Sequence, residues 1–243
     1  MELAETFVEY YDELYPIIPG QKELFTNLMK EFPEPARLLR VGCGTGLFEH
    51  QLARENADVT GIEDTSALLR SANLRRRTQL MSLRFFQMSY LDMARFLGKG
   101  FYSIISCLDD RILFIHDLTL IKKFFFDTKQ LLTNGGYLII TLPNFKLLGN
   151  EKEFSLPDRK SIRSSLFTYI DRENGTSYLS QDLETGNGKM FTIHEHEKIH
   201  ELTAEEIETF AEEAGFSKVN LYSDFNKNPF SPESEKIVAL LKS

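Results

Sequence analysis

An apolar run, Leu38-Leu39-Arg40-Val41, ends in Gly42-Cys43-Gly44-Thr45-Gly46, and helical spacing begins at once at Leu47. Strand, tight glycine turn and helix N-terminus in that order admit few folds. Glycine lets the chain turn with positive φ, lets backbone approach a ligand, and lets a helix pack closely on a strand. The free N–H groups at the helix start can hold a polar or anionic group. The spacing is G-x-G-x-G, one residue shorter than the dinucleotide fingerprint, and no Gly-Lys-Ser/Thr ending follows as a P-loop requires. A nicotinamide dehydrogenase and a nucleoside triphosphate site therefore both fit poorly.

Beyond this turn, strand-like and helical stretches alternate. Strands are expected near 38–41, 58–62, 83–88, 102–106 and 136–142, with helices over 47–54, 66–80 and 118–132 and a short one between Asp92 and Phe96. That order implies a doubly wound, mainly parallel sheet, whose ligands bind beyond the carboxyl ends of the strands. Glu63 stands at the tip of the second strand, 63 − 42 = 21 positions after Gly42, where a carboxylate can accept from both hydroxyls of a ribose diol. The plainer role of this segment is a helix start, with Thr65 or Ser66 as cap. Arg70, Arg75, Arg76 and Arg77 in the next helix read as a solvated face rather than a nucleic-acid patch. The third strand ends in Met88-Ser89-Tyr90, and the fourth in Cys107-Leu108-Asp109-Asp110. His116 and Asp117 read as structural. Asn134-Gly135-Gly136 is expected to end the helix that precedes the fifth strand.

Residues 146–200 lose helical spacing. Alternating runs at 166–170, 177–183 and 189–200, with turn signals at Glu173-Asn174-Gly175 and Thr185-Gly186-Asn187-Gly188, predict two or three antiparallel strands. On a regular strand His194, His196 and His200 share one face. A metal site there needs further ligands, so no metal is expected; a polar strand face or a histidine acting on substrate remain. Thr203 and Glu206 form a capping box for a helix over 203–214 that Gly215 ends, and strands follow at 216–225 and 236–241. The first 34 residues carry helical spacing, with Leu3, Phe7, Tyr10, Tyr11 and Leu14 before Pro16 and Leu24, Phe25, Leu28 and Met29 after it; the cluster Tyr10, Tyr11 and Tyr15 reads as core packing of an added helix or as a tyrosine that closes over a bound ligand.

The string Val41-Gly42-Cys43-Gly44-Thr45-Gly46, the acidic strand tip, the helix–Gly-Gly–strand–Pro143-Asn144 order and the Ala214-Gly215-Phe216 helix end before two strands resemble class I S-adenosylmethionine-dependent methyltransferases of the small-molecule type. The resemblance implies an α/β fold: a Rossmann-like, seven-stranded, mainly parallel sheet with an antiparallel C-terminal hairpin. The expected organisation is an N-terminal helical cover (1–34), a cofactor-binding core (35–145), an inserted antiparallel β lid (146–200), and a C-terminal helix and hairpin completing the sheet (201–243). It further implies S-adenosylmethionine as cofactor, held by Gly42, Cys43, Gly44, Gly46, Glu63, Asp64, Ser89, Tyr90 and Leu108. The reaction is in-line methyl transfer, for which alignment and exclusion of water matter most and a general base is optional. Candidates for such a base are Asp109, Asp110, His194 and His196. Two positions depart from the family pattern. Arg40 stands where an acidic residue is usual, and a buried cation there needs a partner in this chain. Ser89 replaces an acidic residue beside the adenine. The alternative is a methyltransferase-like domain with weak or lost catalysis, serving as a binding or regulatory subunit.

Charge narrows the partners. Lys and Arg number 28 against 36 Asp and Glu, a net −8, which disfavours general binding to nucleic-acid backbone and points to a small-molecule acceptor. The two cysteines have no framework spacing and read as free thiols in a reducing compartment. With no signal-like start and no apolar run of ~18 residues, a cytoplasmic location without membrane contact is expected. Oligomeric state is left open.

Overall fold

The computed structural model describes residues 2–76, 82–149 and 151–243. Five parallel strands form the centre: β1 (Arg37–Val41), β2 (Asp58–Glu63), β3 (Leu83–Gln87), β4 (Tyr102–Cys107) and β5 (Leu132–Pro143). Two more follow late in the chain, β10 (Lys218–Tyr222) and β11 (Lys236–Lys242). The seven run in the order β10-β11-β5-β4-β1-β2-β3, with β11 antiparallel to both neighbours. The chain builds outward from β1 to β3 and then returns to place β4 on the other side of β1. That reversal opens a crevice at the carboxyl ends of β1 and β4, where ligands bind in open sheets of this kind.

Alternation along the central strands divides the core in two. Leu38, Ile104 and Ile139 pack with Leu24, Phe25 and Leu28 of α2 (Pro19–Met29) and with Phe48 and Leu52 of α3 (Leu47–Arg54). Leu39, Ile105 and Leu138 face the other way. They pack with Met93 of the short α5 (Met93–Phe96), with Ile121, Phe124 and Phe125 of α6 (Leu118–Leu131) and with Ile207 and Phe210 of α7 (Ala204–Ala214). Both faces are covered, so β5 is buried at every residue from Tyr137 to Pro143. The capping box of Thr203 and Glu206 opens α7, and Gly215 at φ 83° closes it. Among the described residues no helix is long and apolar enough to cross a membrane.

The inserted region is a separate antiparallel sheet, β6 (Glu153–Lys160), β7 (Ser164–Glu173), β8 (Thr176–Thr185) and β9 (Met190–Ile199). It has four strands where two or three were expected. Pro157 and the charges around it hide β6 in the sequence; the ladder accommodates them with a register shift between Leu156 and Arg159. Helix α1 (Glu2–Leu14) joins the two sheets, because Phe7, Tyr11 and Leu14 pack on Leu166 and Leu183 of the insertion and on Leu68 of α4 (Ser66–Arg75). The expected end of α4, with Arg77, lies outside the described residues. One turn is corrected. Asn134-Gly135-Gly136 does not end α6; it forms a bulge inside β5, where pairing jumps from Tyr102–Leu132 to Ile104–Tyr137. Gly135 takes φ 76° there, and a side chain on Gly136 would meet the Ser103 and Thr133 carbonyl oxygens at 3.0 Å.

Candidate functional site

The glycine turn needs all three of its glycines in the left-handed region, Gly42 at φ 69°, Gly44 at 57° and Gly46 at 70°. The backbone N–H groups of Gly42 and Cys43 both donate to the Ile62 carbonyl, at 2.9 and 3.1 Å, fixing the turn to the tip of β2. Glu63 completes the lock. Its Oε2 accepts from the Gly44 N–H at 2.9 Å and its Oε1 from the Thr65 N–H at 3.0 Å, with the residue 2% exposed. Each carboxylate oxygen still has a lone pair to offer. A cavity of about 260 Å³ opens beside this carboxylate. Gly42, Glu63, Asp64 and Tyr90 border it, as does Cys107.

Five expected cofactor contacts do not border that cavity. Cys43 and Leu108 are buried in the core. Gly44 is roofed by the Tyr11 ring and Gly46 by the Phe85 ring, so these glycines provide close packing rather than an open surface. Ser89 accepts from the Leu91 N–H at 3.3 Å and faces a shallow surface depression with Gln87 and Asp92. Met88 takes its place at the cavity edge.

A second cavity, about 130 Å³, lies between the central sheet and the insertion, walled by Phe7, Tyr15, Phe114, Asp110, Arg159 and Gln181 among others. The two cavities meet at a shared wall of Arg111, Phe114 and His194. Phe114 and the His194 ring lie 4.9 Å apart, centre to centre. His194 is half-buried, and its pKa is lowered, by burial first and by the nearby Arg111 charge second. The other histidines lie elsewhere, because the β8–β9 ladder shifts register twice and His196 adopts φ 52°, which breaks the expected alternation. His196 is exposed and stacks on Tyr178 at 3.9 Å; His200 bonds Glu206 at 3.1 Å.

Both candidate aspartates are tied to arginines. Asp109 and Asp110 follow β4 with φ 56° and 63°, a left-handed pair that aspartate tolerates better than most residues. Asp109 Oδ2 accepts from Arg40 Nη2 at 2.6 Å, and its N–H donates to Thr141 Oγ1 at 2.9 Å. Asp110 Oδ2 accepts from Arg159 Nη2 at 3.0 Å. Arg40, 6% exposed, thus has the acidic partner its position demands, and Glu49 stands a further 3.8 Å from its Nε. Burial pushes the Glu49 carboxyl up to about 7, against the pull of Arg40. Arg40 Nη1 is the one buried side-chain nitrogen or oxygen without a hydrogen-bond partner among the described residues.

Arg111 and Phe114 were not singled out as site residues in the sequence, whereas Tyr11 belongs to the tyrosine cluster considered there as a cover, and its ring roofs Gly44. Arg111 begins a 3-10 turn (Arg111–Phe114) and lies over Gly42, where an added Cβ would sit 3.1 Å from its Cγ. Its Nη2 donates to Tyr11 Oη at 3.0 Å, across 100 positions of sequence. A short turn has no periodicity to reveal it.

Known proteins share this fold. A predicted methyltransferase of Geobacillus sp. (strain WCH70) is 22% identical over 249 residues, covering 98% of each chain. The methyltransferase CcbJ of Streptomyces caelestis superposes with a TM-score of 0.79 at 15% identity, over 98% of this chain and 96% of that one. CalS10, an amino pentose methyltransferase of Micromonospora echinaspora solved with S-adenosylmethionine bound, gives 0.64 at 17% identity over 97% and 96%. Residues 34–215 match the sequence profile of the methyltransferase domain, and the chain belongs to that family.

Proposed function

We propose that the protein transfers a methyl group from S-adenosylmethionine to a small-molecule acceptor. The observation that carries this reading is the junction of two cavities at one wall, beyond the carboxyl ends of β1, β2 and β4. The larger cavity fits an adenosine moiety, with Glu63 accepting from the ribose hydroxyls, Asp64 and Tyr90 near the base, and the glycine turn along the remainder. CalS10 binds the same cofactor on the same fold. The smaller cavity, under the insertion, holds the acceptor. Bound in this way, S-adenosylmethionine supplies a methyl on a sulfonium that leaves as a neutral thioether.

The chain's own residues then align the acceptor and keep water out. Asp109 and Asp110 serve as counter-ions to Arg40 and Arg159. His194 is the base, taking the proton that the acceptor's nucleophile releases. Arg40 introduces no unmatched charge beside the cofactor, which weakens the case for a binding-only domain. The two buried, free thiols suit a reducing cytoplasm, and the net charge of −8 disfavours a nucleic-acid acceptor.

Titration calorimetry of the purified chain with S-adenosylhomocysteine tests the reading; absence of binding at millimolar ligand rejects it. The His194 role predicts a pH profile. Its folded pKa lies below 6.5, so the imidazole is neutral and competent at pH 7. Methyl transfer to a screened acceptor should hold steady from pH 7 to 8 and fall as acid drives the pH down through that lowered pKa. His194→Gln should abolish the acid limb and slow transfer by about 10²-fold or more, leaving S-adenosylhomocysteine affinity unchanged. An acid limb that survives in His194→Gln assigns the proton elsewhere.

A further inference from the structure

We propose that Arg111 recognises a carboxylate on the acceptor, so that the acceptor is an anionic, ring-bearing small molecule. This rests on the methyltransferase reading of the two cavities. The other guanidiniums at the site already have carboxylates, Arg40 with Asp109 and Arg159 with Asp110. Arg111 makes no ion pair among the described residues; Glu63 acts on its charge only through space, and its carboxylate is already taken up by the Gly44 and Thr65 N–H groups. Its side-chain hydrogen bond goes to Tyr11 Oη at 3.0 Å, and Tyr11 is a phenol whose burial holds its ionisation far above neutral pH. A neutral acceptor of one hydrogen bond does not offset a guanidinium charge in a partly desolvated place. The side chain borders both cavities, so an anion entering the smaller one meets it. Its planar fork matches a carboxylate in shape and hydrogen-bond direction.

The rest of the smaller cavity describes the body of that anion. Phe7, Tyr15 and Phe114 give it aromatic walls. Tyr15 is held in place by stacking on Tyr11, centroids 4.6 Å apart, and by the Arg159 guanidinium 4.3 Å from its ring centre. The volume of about 130 Å³ approaches the ~150 Å³ of an apolar cavity that takes benzene. His194 adjoins both the arginine and the ring space, so one ligand can place its acid on Arg111 and its nucleophile beside the base.

The cofactor also carries a carboxylate, and the experiment separates the two sources. Benzoate, 4-hydroxybenzoate and 3-phenylpropanoate, each with its primary amide, are titrated into the wild-type chain saturated with S-adenosylhomocysteine. At least one acid should bind more tightly than its amide by about tenfold or more, and Arg111→Met should remove that preference. In the same variant, affinities for S-adenosylhomocysteine and for methylthioadenosine, which lacks the amino-acid carboxylate, should each change by less than about threefold, well under one charged hydrogen bond. Lack of acid preference in the wild type overturns the proposal, as does a preference that persists in Arg111→Met. Loss of S-adenosylhomocysteine affinity with methylthioadenosine unaffected also overturns it, since the arginine then serves the cofactor. Failure of the wild type to bind S-adenosylhomocysteine at all is a separate result, and it rejects the methyltransferase reading itself.

Discussion

Glu63→Ala is expected to weaken S-adenosylhomocysteine binding by about 100-fold or more. The carboxylate has two duties that meet in one side chain. It accepts the Gly44 and Thr65 N–H groups, and in the proposed complex it accepts from two ribose hydroxyls. Hydrogen bonds to a charged acceptor contribute about 1.5–3 kcal/mol each. Losing two of them therefore removes ~3 kcal/mol or more, which is about two decades of affinity. The alanine variant also leaves the Gly44 N–H without its partner beneath the Tyr11 roof, at a further cost of about 1–3 kcal/mol to the folded state. Calorimetry and urea unfolding should show both losses together.

Two further substitutions separate the duties. Glu63→Gln keeps one carbonyl oxygen and replaces the other with an NH₂ group, so one of the two backbone donors must face a donor. Binding should fall between wild type and alanine, with part of the stability lost. Asp64→Ala removes an exposed neighbour that makes no such backbone bond to the glycine turn, and it should change affinity by no more than severalfold. Equal effects at Glu63 and Asp64, or unchanged affinity in Glu63→Ala, would reject the ribose assignment.

How far the sequence reveals the site depends on how local each cause is. The glycine turn and Glu63 are readable because turn chemistry and strand-tip position act within about twenty residues. The capping box at Thr203 and the stop at Gly215 are readable for the same reason. Asn134-Gly135-Gly136 misleads because glycine needs positive φ in a bulge as much as at a helix end, and only the pairing of Tyr102 with Leu132 distinguishes them. The histidines mislead because alternation assumes a regular strand, while β9 carries register shifts. Arg111 and Tyr11 lie 100 positions apart and Arg40 and Asp109 69 apart, so no window along the chain shows either contact. Arg40 nonetheless announces that it needs a partner, because a guanidinium inside an apolar strand demands one.

That demand gives the largest expected loss of stability. Asp109→Ala should destabilise the fold by about 3 kcal/mol at pH 7, near the lower end for breaking one side of a buried pair, because Asp109 keeps some contact with solvent. For a chain of this length the melting temperature should fall by roughly 6–12 °C. Two features sharpen the expectation. Once Asp109 is gone, Glu49 is the remaining carboxylate near Arg40, 3.8 Å from its Nε. In the wild type its pKa is pushed up to about 7, so it is only partly ionised at neutral pH. Asp109 is one of the charges that raise the Glu49 pKa, so in Asp109→Ala Glu49 ionises at lower pH than in wild type and returns a counter-charge to Arg40; the deficit of the variant should therefore shrink as the pH rises toward 7. Removing the cation as well should help. In Arg40→Met with Asp109→Ala no guanidinium is left to neutralise, and Glu49, freed of its cation, takes up a proton and is buried neutral. The double variant should therefore be more stable than Asp109→Ala alone, as when apolar residues replace a buried ion pair. Urea unfolding of the two single variants and the double closes the cycle. Strict additivity would show that Arg40 and Asp109 do not act as a pair, and a flat pH response of Asp109→Ala would show that Glu49 cannot substitute.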